Sequence, residues 1–385
     1  MAFPLFITPS GSIFSGDVYS SYFSLPISVG IGFLVIAQNF IYVFRILSSW
    51  KLLILGSTLF FFLIATIFAI SDSSHDLSLF LLYILPILVG LHFWGNGKNI
   101  KNANLLSFLF GISLSLVFIA TLHIIASFLT LGVVTSFSER GVDSIFGLFS
   151  IYQKVIYYPT LLAIGSYIVL AFYRSRMKWF FYTILCTDIA ITGAREAILL
   201  TVVLSFFSIL TSNGRTTKRT LHSIIFFAIL FSLTLVVTTI ETEALFIIKL
   251  NEMLTATDYR QLSGGRDEAL SYVMESFDIT PQLIIIGNGF STGGELGTPH
   301  NQYIEWFLRG GIIFLLLNIL LLFGAAYKAL TSSSIIYNKL GMLLLAVILI
   351  SNNINTPFRA PYTAIVLFII ICFSWQAGKE TKDYS

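Results

Sequence analysis

The sequence predicts an all-α polytopic membrane protein of about eleven (10–12) transmembrane helices, with one long loop on the outer side that contains an amphipathic helix. Three observations predict it. Of 385 residues, 56% are hydrophobic and only 11% are charged, against roughly 25% charged in a soluble domain. Apolar runs of about 15 to 25 residues recur along the chain with few or no charges, and the longer of them suffice to cross a bilayer. Basic residues collect in short loops between alternate runs, the pattern that marks the cytoplasmic side. The first two observations exclude a soluble enzyme. A net charge of +3 is too small to argue for a nucleic-acid partner. Cys186 and Cys372 both lie in apolar runs, so no disulfide framework is expected. No cleavable signal peptide is expected either, because the N-terminus lacks a basic n-region.

The spans read, in order, as 22–44, 52–70, 77–95, 104–128, 156–173, 179–192, 197–211, 221–240, 302–327, 340–353 and 361–376. If each crosses, the loops holding Arg45/Lys51, Lys98/Lys101, Arg174/Arg176/Lys178, Arg215/Lys218/Arg219 and Lys328/Lys339 all lie inside. The C-terminus, with Lys379 and Lys382, is then inside and the N-terminus outside. The outer side keeps Arg140, Lys154, Arg195, Lys249, Arg260, Arg266, Arg309 and Arg359. The two sides differ in kind: nine Lys and five Arg inside, two Lys and six Arg outside. Arginine's planar, weakly hydrated fork suits phosphate better than lysine does, so the outer side reads as facing an anion. The organisation that follows is an N-terminal transmembrane bundle over 1–240, a large outer loop over 241–301, and C-terminal transmembrane helices over 302–385.

The loop of about 60 residues is far longer than ordinary connections, and loops of that length are usually functional or disordered. It is not polar enough for disorder. Within "RDEALSYVMESF", Ala269, Leu270, Val273, Met274 and Phe277 recur at helical spacing, with Asp267 and Glu268 in the favourable first turn. An amphipathic helix over the outer face is expected there. The glycine-rich "PQLIIIGNGFSTGGELGTP" follows, and glycine permits tight turns and close backbone approach. A phosphate-cradling role is weakly supported, since no P-loop lysine is present.

Three polar stretches stand out. In "ITGAREAIL", Arg195 and Glu196 join two short apolar runs that rise only roughly 21–23 Å, less than the roughly 30 Å hydrocarbon core. Their charges therefore fall below the outer surface, where a charge needs a wet cavity or a partner. In "LSGGRDEA", Arg266 starts a helix, against the helix dipole, and so calls for an anion or a carboxylate partner such as Asp267 or Glu268. In "GTPHNQYIEWFLRGG", Thr298 caps and Pro299 opens a helix, with His300 second and Asn301 third. The positive helix end keeps His300 neutral near pH 7, suited to accept a hydrogen bond or act as a base. Asn301 and Glu305, four apart, share a face. The five His show no paired ligand spacing, so no metal is expected.

"TGAREA", "SGGRDEA", "IIGNGFSTGG" and "PHNQYIEWFLRGGIIFLLL", in this order around one long loop, resemble the O-antigen ligase/polymerase family over about 190–325. Within it the chain looks most like a Wzy-type O-antigen or capsule polymerase. The resemblance implies a GT-C-like fold in the bacterial inner membrane with its active site facing the periplasm. It implies an inverting glycosyltransferase with neither metal nor other cofactor. Its substrates would be undecaprenyl-pyrophosphate-linked oligosaccharides as donor and acceptor, and its partners the lipid bilayer and a chain-length regulator. Arg195 matches the family's Arg, although Ala194 stands where the family has Ser. Arg266 matches the Ser-Gly-Arg position, with Ser263 displaced by one glycine, and His300 and Asn301 match the His-Asn pair. The implied roles are Arg195 and Arg266, with Arg140, on the leaving pyrophosphate; His300 as base, with Glu305 as the alternative; and Asn301 and Arg309 binding substrate. A ligase that transfers the glycan to lipid A-core uses the same chemistry, and the His-Asn pair is a ligase-like feature. A lipid-linked oligosaccharide flippase is the alternative from another class.

Overall fold

The computed structural model describes residues 7–9, 102–146, 149–151, 157–210, 281–287, 301–358 and 361–377. These residues are mostly helical. Among the described residues, three helices are long and apolar enough to cross a membrane: Leu105–Leu131, Gln302–Leu330 and Ile335–Ile354. Their outward sides carry Phe118, Leu129, Leu316, Leu320 and Leu349, all exposed. So many large apolar side chains facing out fit a lipid-facing surface. The expected spans 22–44, 52–70, 77–95 and 221–240, and the amphipathic helix near 267–277, lie outside the described residues.

The chain divides into two compact units: Met1–Ser28 with Lys101–Asp258, and Val29–Ile100 with Tyr259–Ser385. This partition follows contacts, whereas the three-part organisation read from the sequence follows membrane topology.

In the first unit, α1 (Asn102–Leu131) is followed by a short α2 (Val133–Ser138), then α3 (Tyr158–Phe172), α4 (Lys178–Thr192) and α5 (Arg195–Leu210). All 15 residues of α3 are buried. A helix apolar all round belongs in a core, and α3 packs against α1, α4 and α5. Pro159 sits in its first turn, where a missing N–H costs nothing. Gly193, in the left-handed region at φ 63, ends α4, and its N–H bonds the carbonyls of Ile189 and Ala190, both at 3.2 Å. The next helix starts two residues on.

The unit also holds a small antiparallel sheet that the sequence reading did not anticipate. β1 (Ile7–Pro9), β2 (Ser144–Ile145) and β3 (Phe149–Ile151) pair in the order β1-β3-β2, with Thr8 opposite Ser150 and Ile145 opposite Phe149. Strands of two or three residues are too short for an alternating pattern to register.

In the second unit, α6 (Pro281–Ile286) packs on α7 (Gln302–Leu330), which in turn packs on α8 (Ile335–Ala346) and α10 (Pro361–Ser374). Between α8 and α10 lie a π-helical turn (Val347–Ser351) and the short α9 (Asn352–Ile354). The helix expected over 340–353 begins earlier, at Ile335. Ser334 has the extended conformation of a cap residue, and Tyr337 is buried, so the polar-looking Tyr337-Asn338-Lys339 stretch is helical. The helix expected over 302–327 is broken within: Gly311 has φ 67 and ψ −168, which no helix accommodates. Residues 312–330 alone rise roughly 28 Å, about one hydrocarbon thickness. Residues 302–310 form a separate head.

Candidate functional site

In the first unit the polar side chains gather where α1 and α4 finish and α3 and α5 begin. Arg195 is the first residue of α5 and is partly buried. Its neighbour Glu196 is buried and accepts a hydrogen bond from Thr160 Oγ1 of α3 at 3.2 Å. Arg140 lies in the turn after α2, also partly buried, at φ 62. Left-handed backbone is uncommon for a non-glycine residue.

Deeper at the same end is a group that the sequence reading missed. His123 Nδ1 of α1 lies 2.5 Å from Asp188 Oδ1 of α4. Tyr158 of α3 donates its hydroxyl to Asp188 Oδ2, also at 2.5 Å. All three side chains are buried to 0% exposure. His123 Nε2 points at the carbonyl of Val142, 3.1 Å away, and the Val142 N–H donates to Ser127 Oγ at 3.1 Å. The signal was available. Asp188 lies inside the run 179–192 and His123 inside 104–128, and an ionisable residue within a transmembrane run is a functional candidate by default.

In the second unit the described site residues sit on the head of α7. Asn301 is its N-cap, not its third residue: its backbone is extended, and its side-chain carbonyl accepts from the N–H groups of Tyr303 (3.0 Å) and Ile304 (3.2 Å). This corrects the expected helix start at Thr298–Pro299. Asn is at least as good a cap as Thr, and its Oδ1 satisfies two amides that the helix itself leaves open. His300 therefore precedes the cap instead of occupying the second helical position. Glu305 and Arg309, one turn apart, form a buried ion pair, Nε to Oε1 at 3.1 Å, and are 1% and 4% exposed. The guanidinium offsets the charge of the buried carboxylate.

The head is fixed on several sides. Trp306 is 2% exposed and packs against Phe358 with ring centroids 5.3 Å apart. The Tyr303 hydroxyl donates to the carbonyl of Ile348, in the π-helical turn, at 2.9 Å. Gln302 Oε1 accepts from the Phe358 N–H at 2.9 Å. Gly287, after α6, lies against the backbone at the end of the head: a Cβ there would stand 2.4 Å from the carbonyl carbon of Arg309. This is one concrete instance of the close approach expected of the glycine-rich segment.

Arg266 and His300 lie outside the described residues. Among the described residues, no group of three His, Cys, Asp or Glu is placed to hold a metal ion. No protein-family model matches the chain, and no curated protein is significantly similar to it in sequence.

Proposed function

We propose that the chain is a glycan polymerase of the bacterial inner membrane. It moves a growing glycan from undecaprenyl pyrophosphate onto the next lipid-linked repeat unit, with its active site facing the periplasm. The reading rests on the order of the motifs in the sequence. The structural observation that supports it best is that two partly buried arginines, Arg140 and Arg195, stand at the same end of the first unit's helices, beside the buried polar groups there. Fixed cations at membrane depth suit a pyrophosphate leaving group, whose negative charge grows as the glycosidic bond breaks. Arg266 joins them in this role. His300 takes the proton of the attacking sugar hydroxyl, and displacement inverts the anomeric carbon. Asn301 and Arg309 act from the head of α7, where Arg309 also compensates Glu305.

A deletion strain read on a glycan gel tests the proposal. A single repeat unit left on the acceptor is the expected result. Loss of all glycan from lipid A, with long chains retained on the lipid carrier, would make the enzyme a ligase. Unchanged surface glycan would sink both readings.

A further inference from the structure

Hydrogen-bond chemistry fixes how many protons the buried group in the first unit holds. The Val142 carbonyl only accepts, so His123 Nε2 carries a proton. Tyr158 donates to Asp188 Oδ2. The contact between His123 Nδ1 and Asp188 Oδ1 requires one proton between them. Whichever atom holds that proton, histidine and aspartate together carry no net charge, the condition under which such a pair survives inside a bundle of apolar helices. A neutral imidazole beside an ionised carboxylate would leave one of the two contacts without a proton.

The chain of bonds runs from α3 through α4 and α1 and ends on the backbone beside Arg140. There the turn is held by several contacts at once. Val142 accepts from His123 and donates to Ser127, and the Gly141 N–H donates to the carbonyl of Ser136 at 2.9 Å. Gly141 lies at φ 70, directly on the imidazole: a Cβ there would be 2.7 Å from His123 Nε2 and 2.8 Å from Ser127 Oγ. Consecutive left-handed residues, Arg140 and Gly141, persist only where the surroundings over-determine them.

We infer that Tyr158, Asp188 and His123 are positioning residues, a charge-neutral clamp that holds the Arg140 turn at the end of the bundle so that Arg140 meets the anionic headgroup of the lipid-linked substrate. The role of Arg140 here rests on the proposed glycosyl transfer; the clamp itself does not.

Two readouts separate them. The first is amide hydrogen exchange of residues 139–146 in the purified full chain in detergent. His123→Ala and Asp188→Ala raise exchange by about tenfold or more, the change that leaving a buried hydrogen-bonding group unsatisfied carries. Asp188→Asn keeps the protection, because its amide donates to Nδ1 while its carbonyl accepts from Tyr158. Ser127→Ala, a smaller perturbation of the same turn, moves exchange in the same direction if His123→Ala lowers the amount of protein. Unchanged exchange in His123→Ala, or in Ser127→Ala where that variant replaces it, overturns the clamp.

The second readout is glycan chain growth in a double-mutant cycle. A clamp that acts through Arg140 makes His123→Ala/Arg140→Ala no worse than Arg140→Ala alone. Losses that multiply overturn positioning in favour of bulk stability. Wild-type growth in Arg140→Ala overturns the headgroup role, while the exchange data still decide the clamp.

Discussion

His123 and Asp188, 65 positions apart in sequence, meet at 2.5 Å with no exposure to solvent, and Tyr158 closes the group from a third helix. Aspartate is the member that binds both neighbours. Asp188→Ala strands a buried imidazole and a buried phenol, and breaking a buried charge pair typically costs about 3–5 kcal/mol. Asp188→Asn restores both bonds and costs about 1 kcal/mol. Thermal unfolding of the two variants in the same detergent should rank them widely apart, and equal melting temperatures would remove the pairing from the account.

The ion pair on the head of α7 gives the opposite kind of test. Arg309→Ala leaves the Glu305 carboxylate buried without this partner, and a loss of about 3–5 kcal/mol is expected. Adding Glu305→Gln removes the orphaned charge, so Glu305→Gln/Arg309→Ala should be more stable than Arg309→Ala alone. If the second substitution instead lowers stability further, the pair is not what holds these side chains.

Among the described residues, much of the helical layout was legible in the sequence, because apolar run length is a strong signal. The runs 156–173, 179–192 and 197–211 became α3, α4 and α5 with ends displaced by two residues at most. What was not legible has identifiable causes. The kink at Gly311 is a backbone event that run length cannot show, and so one apolar run became a head and a spanning helix. The strands were too short to carry a period. Asn301 displaced Thr298 as cap because two good cap residues stood three apart, and only geometry chooses between them. Among the proposed site residues, the sequence put Arg195 and Glu305 near helix ends and read Arg140 and Arg309 only as outer-side arginines, and it did not show the pairing of Glu305 with Arg309. The His123–Asp188–Tyr158 group joins three helices, a relation that no local pattern encodes.

Gly287 makes a prediction about packing alone. A methyl group at this position meets the Arg309 carbonyl carbon at 2.4 Å and the Gly310 nitrogen at 2.5 Å, and the backbone sits at φ 74. Backbone atoms cannot rotate away as a side chain can. Gly287→Ala should cost about 1–3 kcal/mol from strain and overpacking together, and should free α6 from the head of α7. Limited proteolysis near residues 281–287 reads this out, and a wild-type cleavage pattern would contradict the close approach.

The proposed transfer predicts a graded response at the arginines. Arg195→Ala and Arg266→Ala should each reduce chain growth by roughly 100- to 1000-fold, the usual effect of removing one electrostatic stabiliser, at normal protein level. Arg195→Lys should fall between, since it keeps the charge and loses the fork. His300→Ala should be severely impaired, and His300→Gln less so if hydrogen bonding rather than proton removal is its task. Chains of wild-type length in both alanine variants would end the pyrophosphate assignment.

Asn301 separates scaffold from chemistry most sharply, because its two side-chain ends have different duties. The carbonyl end caps α7, and Asn301→Ala should cost about 1 kcal/mol of stability for that reason alone. Asn301→Asp and Asn301→Ser keep an oxygen in the capping position and should restore that stability. Neither restores the amide nitrogen, which in the structure donates to the Asn353 carbonyl at 3.5 Å, a long contact that adds little to stability. If Asn301 serves only as a cap, chain growth should return with stability in both variants. If its amide also donates to substrate, as the proposed role requires, both variants should melt like wild type and still grow short chains. Melting temperature and glycan length measured on the same preparations decide between the two, and full recovery of both would confine Asn301 to the cap.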